Sequence, residues 1–287
     1  MIRLALALIC LCGTALAEPS LRANGTLRWQ LDAQWFGGWS GIEVRANGTE
    51  MTVVSDRGQL LDADIRRKDG RIVGVDVHSS VRLNKASGGR LRKKASDAEA
   101  LAILEDGTAF ISFEHRHQIM QLGLKTGRTR GRIDLPFTNE MGNNSGVEAL
   151  AIGPDGTLYA LIEKAPQSGQ PFPLYAYSNG AWRVSARIPQ RGPFVPVGAD
   201  FDPYGRLWLL ERATTPVGFR SRVRLFNLAP GSAREYTMFT SLPSRYDNLE
   251  GISVWQDPNG RLHVTMISDD NFLRLQRTQI VEYIVRE

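Results

Sequence analysis

The sequence predicts an all-β chain closed into a β-propeller, five blades of four short antiparallel strands each. Three observations predict it. One pattern recurs five times, an acid, an apolar run, a Gly-containing turn, an aromatic or apolar run and a second acid, with first acids at Glu43, Glu99, Glu148, Asp200 and Glu250. Four strands per roughly 50 residues is the unit of a propeller blade. The turns Asp106-Gly107, Asp155-Gly156 and Asn259-Gly260 are strong hairpin signals. No stretch sustains an apolar stripe of helical period.

Taken in order, the repeats run Glu43 to Asp56, Glu99 to Glu114, Glu148 to Glu163, Asp200 to Glu211 and Glu250 to Asp269. Between them lie further strand-like runs, such as Leu174–Tyr177 with Trp182–Ile188, and Val223–Phe226 with Glu235–Phe239. The start, Thr26–Trp35, and the end, Gln279–Val285, both read as strands, and pairing them in one blade would close the ring and remove two sheet edges. A sixth blade fits only if Gly58–Leu83 hides a degenerate unit; a pair of β-sandwiches is the rival architecture.

Composition narrows the class. The chain has 287 residues, 42% hydrophobic and 23% charged, with 2 Cys, which excludes a disordered tail, a disulfide scaffold and a multi-span membrane protein. Net charge is +5, with 35 basic and 30 acidic residues mixed along the chain, and this predicts no nucleic-acid partner. Arg3, the apolar run Leu4–Leu11 and the small residues ending at Ala17 read as a secretory signal over 1–17. Cys10 and Cys12 lie inside it. The expectation is therefore one propeller domain over 18–287, exported to the periplasm or outside the cell, monomeric, without cysteine and without a transmembrane segment.

The acids suggest a site. Residues equidistant from a hairpin turn face each other, so Glu99/Glu114, Glu148/Glu163 and Glu250/Asp269 are expected as cross-strand neighbours. Glu43/Asp56 and Asp200/Glu211 are a step or two off. Each acid sits at the hairpin end away from the turn, so in a propeller all ten would ring one mouth. Opposed like charges need a neutraliser. A hard divalent cation, Ca²⁺ in an exported setting, suits Glu43, Glu99, Glu114, Glu148, Glu163, Glu250 and Asp269, with Asn143, Asn144, Asn248 and Asn271 as neutral oxygen donors. Glu148, Glu163, Glu250 and Asp269 are the first choice. The bland alternative is an acid–base network locking blades together, because Arg57, His115, Lys164 and Arg212 each follow a second acid and should point to the opposite face.

These residues together resemble the secreted phytase-like family named for an "esterase-like activity of phytase" domain. The most specific pieces are Asn248-Leu-Glu-Gly-Ile-Ser, then Ser268-Asp-Asp-Asn-Phe272, then Gln276-Arg-Thr-Gln-Ile280. The runs beginning at Ser145 and Trp39 add to the likeness, which covers nearly all of 18–287. Ala100 and Ala149 stand where the family pattern has Gly. The resemblance implies a propeller and a phosphoester or ester substrate.

Three functions follow. The first is a metal-dependent phosphoester hydrolase, with Glu148, Asp269 and Asp270 as catalytic acids or bases. Arg57, Lys164, Arg212 and Asn271 would hold a small anionic substrate, helped by the basic loop Arg90–Lys94. The second is a calcium-dependent hydrolase of neutral esters or lactones, and the third a non-catalytic binding or scaffold module of the envelope. Serine-triad chemistry is disfavoured, since no Gly-x-Ser-x-Gly occurs. His115 and His117 alternate onto one strand face but make only a weak metal pair.

Overall fold

The computed structural model describes residues 18–91, 95–114, 118–138, 146–165, 167, 169–228 and 234–287. The expected leader over 1–17, the loop residues 92–94, His115, His117, Asn143 and Asn144 lie outside them. Five four-stranded antiparallel sheets form the ring of a five-bladed β-propeller. Blade 5 is closed by the chain ends: β1 (Ser20–Arg28) pairs with β20 (Gln279–Arg286), so the opening strand lies earlier than the Thr26–Trp35 expected. Blade 1 is β2 (Trp39–Arg45), β3 (Glu50–Ser55), β4 (Gln59–Lys68) and β5 (Arg71–Arg82). The Gly58–Leu83 stretch is thus the outer half of blade 1, not a sixth unit.

Blade 2 is β6 (Ala98–Ile103), β7 (Thr108–Phe113), β8 (Gln118–Gly123) and β9 (Arg128–Asp134). Blade 3 is β10 (Val147–Ile152), β11 (Leu158–Ile162), β12 (Phe172–Ser178) and β13 (Ala181–Ile188). Blade 4 is β14 (Val195–Phe201), β15 (Leu207–Thr215), β16 (Gly218–Asn227) and β17 (Arg234–Thr240). β18 (Asn248–Gln256) and β19 (Leu262–Asp269) complete blade 5. No described helix is long and apolar enough to cross a membrane.

Aspartate makes the inner turns. Gly107 sits at φ +82°, its amide bonds Leu104 O at 2.9 Å, and Asp106 Oδ1 accepts the Thr108 amide at 2.8 Å. An L side chain at Gly107 would be strained, which is why Asp-Gly marks the turn. Asp155, Asp202 and Asp257 cap the equivalent turns through the Thr157, Arg206 and Arg261 amides.

The core is a set of seams. Alternation puts apolar residues on both sheet faces, and each of the five interblade spaces is filled by one buried cluster. Trp208 and Val264 meet between blades 4 and 5, and Trp39 and Ile267 between blades 5 and 1. Inner strands crowd the axis at one level, where Gly41, Ala100, Ala149, Gly198 and Gly251 stand in register. A Cβ at Gly198 would lie 2.5 Å from the Glu250 carbonyl oxygen. A cavity of about 10 Å³, room for about one water, remains at this waist.

Candidate metal and anion site

A β-bulge sits one residue before the waist in every inner hairpin, and it decides where the acids go. The ladder runs Ala100↔Ser112 and then Ala98↔Phe113, leaving Glu99 without an opposing partner. The same shift leaves Ser40, Glu148, Val197 and Glu250 bulged. Bulges bend a strand and re-aim a side chain. The expected face-to-face acid pairs therefore do not form. Glu114 opposes Asp97, through an amide bond to its carbonyl at 3.1 Å, and Glu163 opposes Gly146. Asp269 opposes Asn248.

The acidic mouth is thus a ring of three-residue sets. Blade 1 supplies Gly38, Ser40 and Asp56; blade 2, Asp97, Glu99 and Glu114; blade 3, Gly146, Glu148 and Glu163. Blade 4 supplies Val195, Val197 and Arg212, and blade 5 Asn248, Glu250 and Asp269. Carboxyl oxygens of Asp97, Glu99 and Glu114, all half-buried, lie within 4.8 Å of one another. Asp97 was missed from sequence, although its i, i+2 spacing to Glu99 on an extended segment was a usable signal.

Three of the ten acids are elsewhere, which corrects the expectation of a single ring. Glu43 and Asp200 line the opposite mouth, a funnel of about 800 Å³. They lie three residues past the bulge, beyond the waist. There Glu43 Oε1 accepts the Ile103 amide at 3.3 Å, and Asp200 accepts the Val254 amide at 2.6 Å, each stapling its blade to the next. Glu211 is fully buried within blade 4, where it binds Arg222 and Arg224. The bulge brings Arg212, not Glu211, to the ring. Arg212 therefore faces the mouth rather than the opposite side.

Electrostatics at the mouth are crowded. Burial first, then Glu163, pushes the Glu148 carboxyl up to about 8. Burial and then Glu250 raise Asp269 to about 8, and burial and then Asp97 raise Asp56 to about 7. Glu99 is held well above the ordinary carboxylate range by burial and Glu148. Arg212 relieves one side: Nη1 bonds Glu250 Oε1 at 2.5 Å and Asn248 Oδ1 at 2.8 Å, and Nη2 is 3.5 Å from Glu163 Oε1.

The Ser268–Phe272 motif builds the rim. Asp269 Oδ1 accepts the Asn271 amide at 2.7 Å. Asp270 Oδ1 accepts the amides of Gly38 and Phe272, and its Oδ2 accepts the Thr278 hydroxyl, all at 3.1 Å. Asp270 thus latches blade 5 to blade 1. Asn271 and Phe272 both adopt φ near +50°, and the Asn271 side-chain amide donates to Gln276 across the loop. The Phe272 ring carries the Arg57 guanidinium 3.1 Å above its centroid, an exposed cation placed beside Asp56. Lys164 is exposed directly after Glu163.

A hard cation fits this donor set. The converging groups are all carboxylates, and Asp56, on which Asp97 is the strongest acting charge, keeps a buried Oδ1 with no hydrogen-bond partner. Oxygen-only ligation suits calcium or magnesium rather than zinc or copper.

Similarity to other proteins agrees with the fold. A search of curated sequences finds no match. The PQQ-bound aldose sugar dehydrogenase of Streptomyces coelicolor is similar at 10% identity and a TM-score of 0.50, over 94% of this chain and 99% of that one. The gluconolactonase XC5397 of Xanthomonas campestris is similar at 15% identity and a TM-score of 0.45, over 85% and 72%. The family model "Phytase-like: Esterase-like activity of phytase" matches residues 34–272. With five blades, the Ser268–Phe272 rim and that match in agreement, the chain belongs to the phytase-like family.

Proposed function

We propose that the acidic mouth is a calcium-dependent hydrolytic site for small phosphoesters, in a protein exported through its leader. The observation that carries this reading is the convergence of the Asp97, Glu99 and Glu114 oxygens within 4.8 Å. Those three carboxylates would hold the ion, with Asp56 beside them. A bound divalent cation would screen phosphate charge and acidify water. Arg57, spread on Phe272 at the rim, and Lys164 would meet the anion as it arrives, while Arg212 sets a fixed positive charge inside. Glu148, on which the charges of Glu163, Glu250, Arg212 and Glu114 all act, takes the part of general base.

The test is turnover of p-nitrophenyl phosphate and of p-nitrophenyl carboxylate esters in calcium and in EDTA. Calcium-dependent release from the phosphate, lost in Glu148→Gln with folding intact, is the expected result. Turnover of carboxylate esters alone would move the site to ester chemistry. No turnover of either, with calcium still raising the melting temperature, would make it a binding module.

A further inference from the structure

We propose that the recess between the chain leaving β1 and the loop joining β19 to β20 is a second ligand site, for a small amphiphilic anion with one oxyanion head and an apolar tail. It lies beside the Asp270 latch, goes beyond the reading of the acidic mouth and needs no ion there. The recess has a volume of about 250 Å³. Ligand pockets commonly run from about 300 to 1,000 Å³, so this one suits a small head and leaves a longer tail outside.

The sequence after Phe272 reads Leu273-Arg-Leu-Gln-Arg277, apolar and cationic residues mixed on one short turn. Backbone bonds hold that turn, from the Leu273 amide to Asp270 O at 2.8 Å and from the Gln276 amide to Leu273 O at 3.0 Å. The Trp29 amide bonds Thr278 O at 3.0 Å and so seats the loop against the segment after β1. Three exposed cations, Arg28, Arg274 and Arg277, border the recess. Of the acids nearby, Asp270 has both oxygens committed to Gly38, Phe272 and Thr278, and Asp247 is acted on by Arg277 and Arg28. Asp32, exposed on the neighbouring turn, is not in the wall. Arg274 pairs with no acid among the described residues, and a guanidinium fork is the group that grips an oxyanion at fixed geometry.

The rest of the wall is apolar. Trp29 and Phe36 meet edge to face at 4.9 Å, and Leu31 and Leu273 stand beside them. Trp29 is 5% exposed, yet its Nε1 has no acceptor among the described residues. A buried donor without a partner is costly, and an oxyanion in the recess would supply the missing acceptor. On the turn itself Leu273 and Leu275 are 58% and 92% exposed, on either side of Arg274. A bare anion would leave these leucines in water, and a neutral apolar molecule would leave Arg274 without a counter-charge. A ligand that joins head and tail answers both, whether it is a free amphiphile or an anionic lipid headgroup.

The test uses the full chain in EDTA, with octyl phosphate below its micellar concentration, ethyl phosphate and octyl glucoside as probes. The readout is the Trp29 indole N–H signal in ¹H–¹⁵N spectra, assigned through its contact with the Phe36 ring. Octyl phosphate should move that signal saturably, and ethyl phosphate and octyl glucoside should each bind at least about tenfold more weakly. Arg274→Gln, on an exposed side chain, should weaken octyl phosphate roughly tenfold. Leu275→Ser should weaken octyl phosphate and leave ethyl phosphate unchanged. Co-sedimentation with phosphatidylglycerol but not phosphatidylcholine vesicles, lost in Leu275→Ser, would support the proposal with a lipid headgroup as the source. No co-sedimentation, with octyl phosphate still bound, would support it with a free amphiphile. A Trp29 signal that octyl phosphate does not move, unchanged binding in Arg274→Gln, or equal binding of octyl glucoside overturns it. Because EDTA removes any ion from the mouth, none of these outcomes depends on the calcium reading.

Discussion

The Glu114 amide donates to the Asp97 carbonyl oxygen at 3.1 Å, so these two acids, and not Glu114 and Glu99, face each other across the blade 2 hairpin. The bulge at Glu99 then swings a third carboxyl toward the same point. Two strands can oppose only two side chains at a rung; a bulge is the local device that adds another.

Removing one member of that trio should weaken the ion without harming the fold. Asp97→Asn takes away a charged ligand and also relieves like-charge crowding, so its melting temperature in EDTA should equal or exceed wild type. In calcium the order should invert. A tenfold loss of affinity removes about 1.4 kcal/mol of ligand-linked stability when the ion is in excess. Paired thermal melts check it, and equal calcium shifts in both proteins would contradict the placement of the ion.

Asp270 should matter to the ring closure. Both its oxygens are committed, to Gly38, Phe272 and Thr278, and the bond to Gly38 joins the last blade to the first. Asp270→Ala leaves two amides and a hydroxyl without this acceptor. The expected cost is roughly 2–3 kcal/mol in urea unfolding, since bonds to a charged acceptor contribute more than neutral ones. A loss below 0.5 kcal/mol, on the order of a surface substitution, would mean the latch carries little.

The fold was legible because repetition and turn chemistry are local signals. Asp106-Gly107 and its copies announce hairpins, and the strand ends at Thr26 and Val281 pair as closure requires. The site was only half legible. Hairpin symmetry assumes an unbroken ladder, and nothing in Glu99-Ala100 or Val197-Gly198 declares the extra residue. One unannounced bulge hid Asp97 and brought Arg212, rather than Glu211, to the mouth. Glu43 and Asp200 fell on the far side of the waist for a related reason: they sit on inner strands equivalent to those that carry Glu99, Glu148 and Glu250, but past the axial constriction.

Glu211 illustrates an acid whose work is wholly structural. It is fully buried, accepts Nε of Arg222 at 2.6 Å and Nε of Arg224 at 2.8 Å, and takes a further bond from Arg224 Nη2. Arg224 is itself fully buried and also reaches Glu235. Glu211→Gln would leave two guanidinium groups undercompensated inside blade 4, and breaking a buried pair this way costs about 3–5 kcal/mol. Calcium should not restore the loss. The measurement is the denaturation midpoint with and without calcium, and recovery by calcium would place Glu211 functionally at the mouth after all.

At the opposite mouth, the pH dependence of stability has a definite sign. Burial first, and then the charge of Asp200, hold Glu43 well above the usual range, and burial raises Asp200 to about 7. Arg45 and the bonds from Ile103 and Ser253 pull Glu43 the other way without winning. In the unfolded chain both groups lose their protons near pH 4. Between about pH 4 and 7 the native state therefore binds protons that the unfolded state has released, and stability from this pair falls as pH rises through that window. Glu43→Gln keeps an acceptor for the Ile103 amide and abolishes one titration. In EDTA it should match wild type at pH 4 and exceed it at pH 8 by on the order of 1 kcal/mol. Urea titrations of both proteins at the two pH values decide it: a variant less stable than wild type at pH 8 would mean that the charged carboxylate, through its bond to the next blade, is worth more than its burial costs.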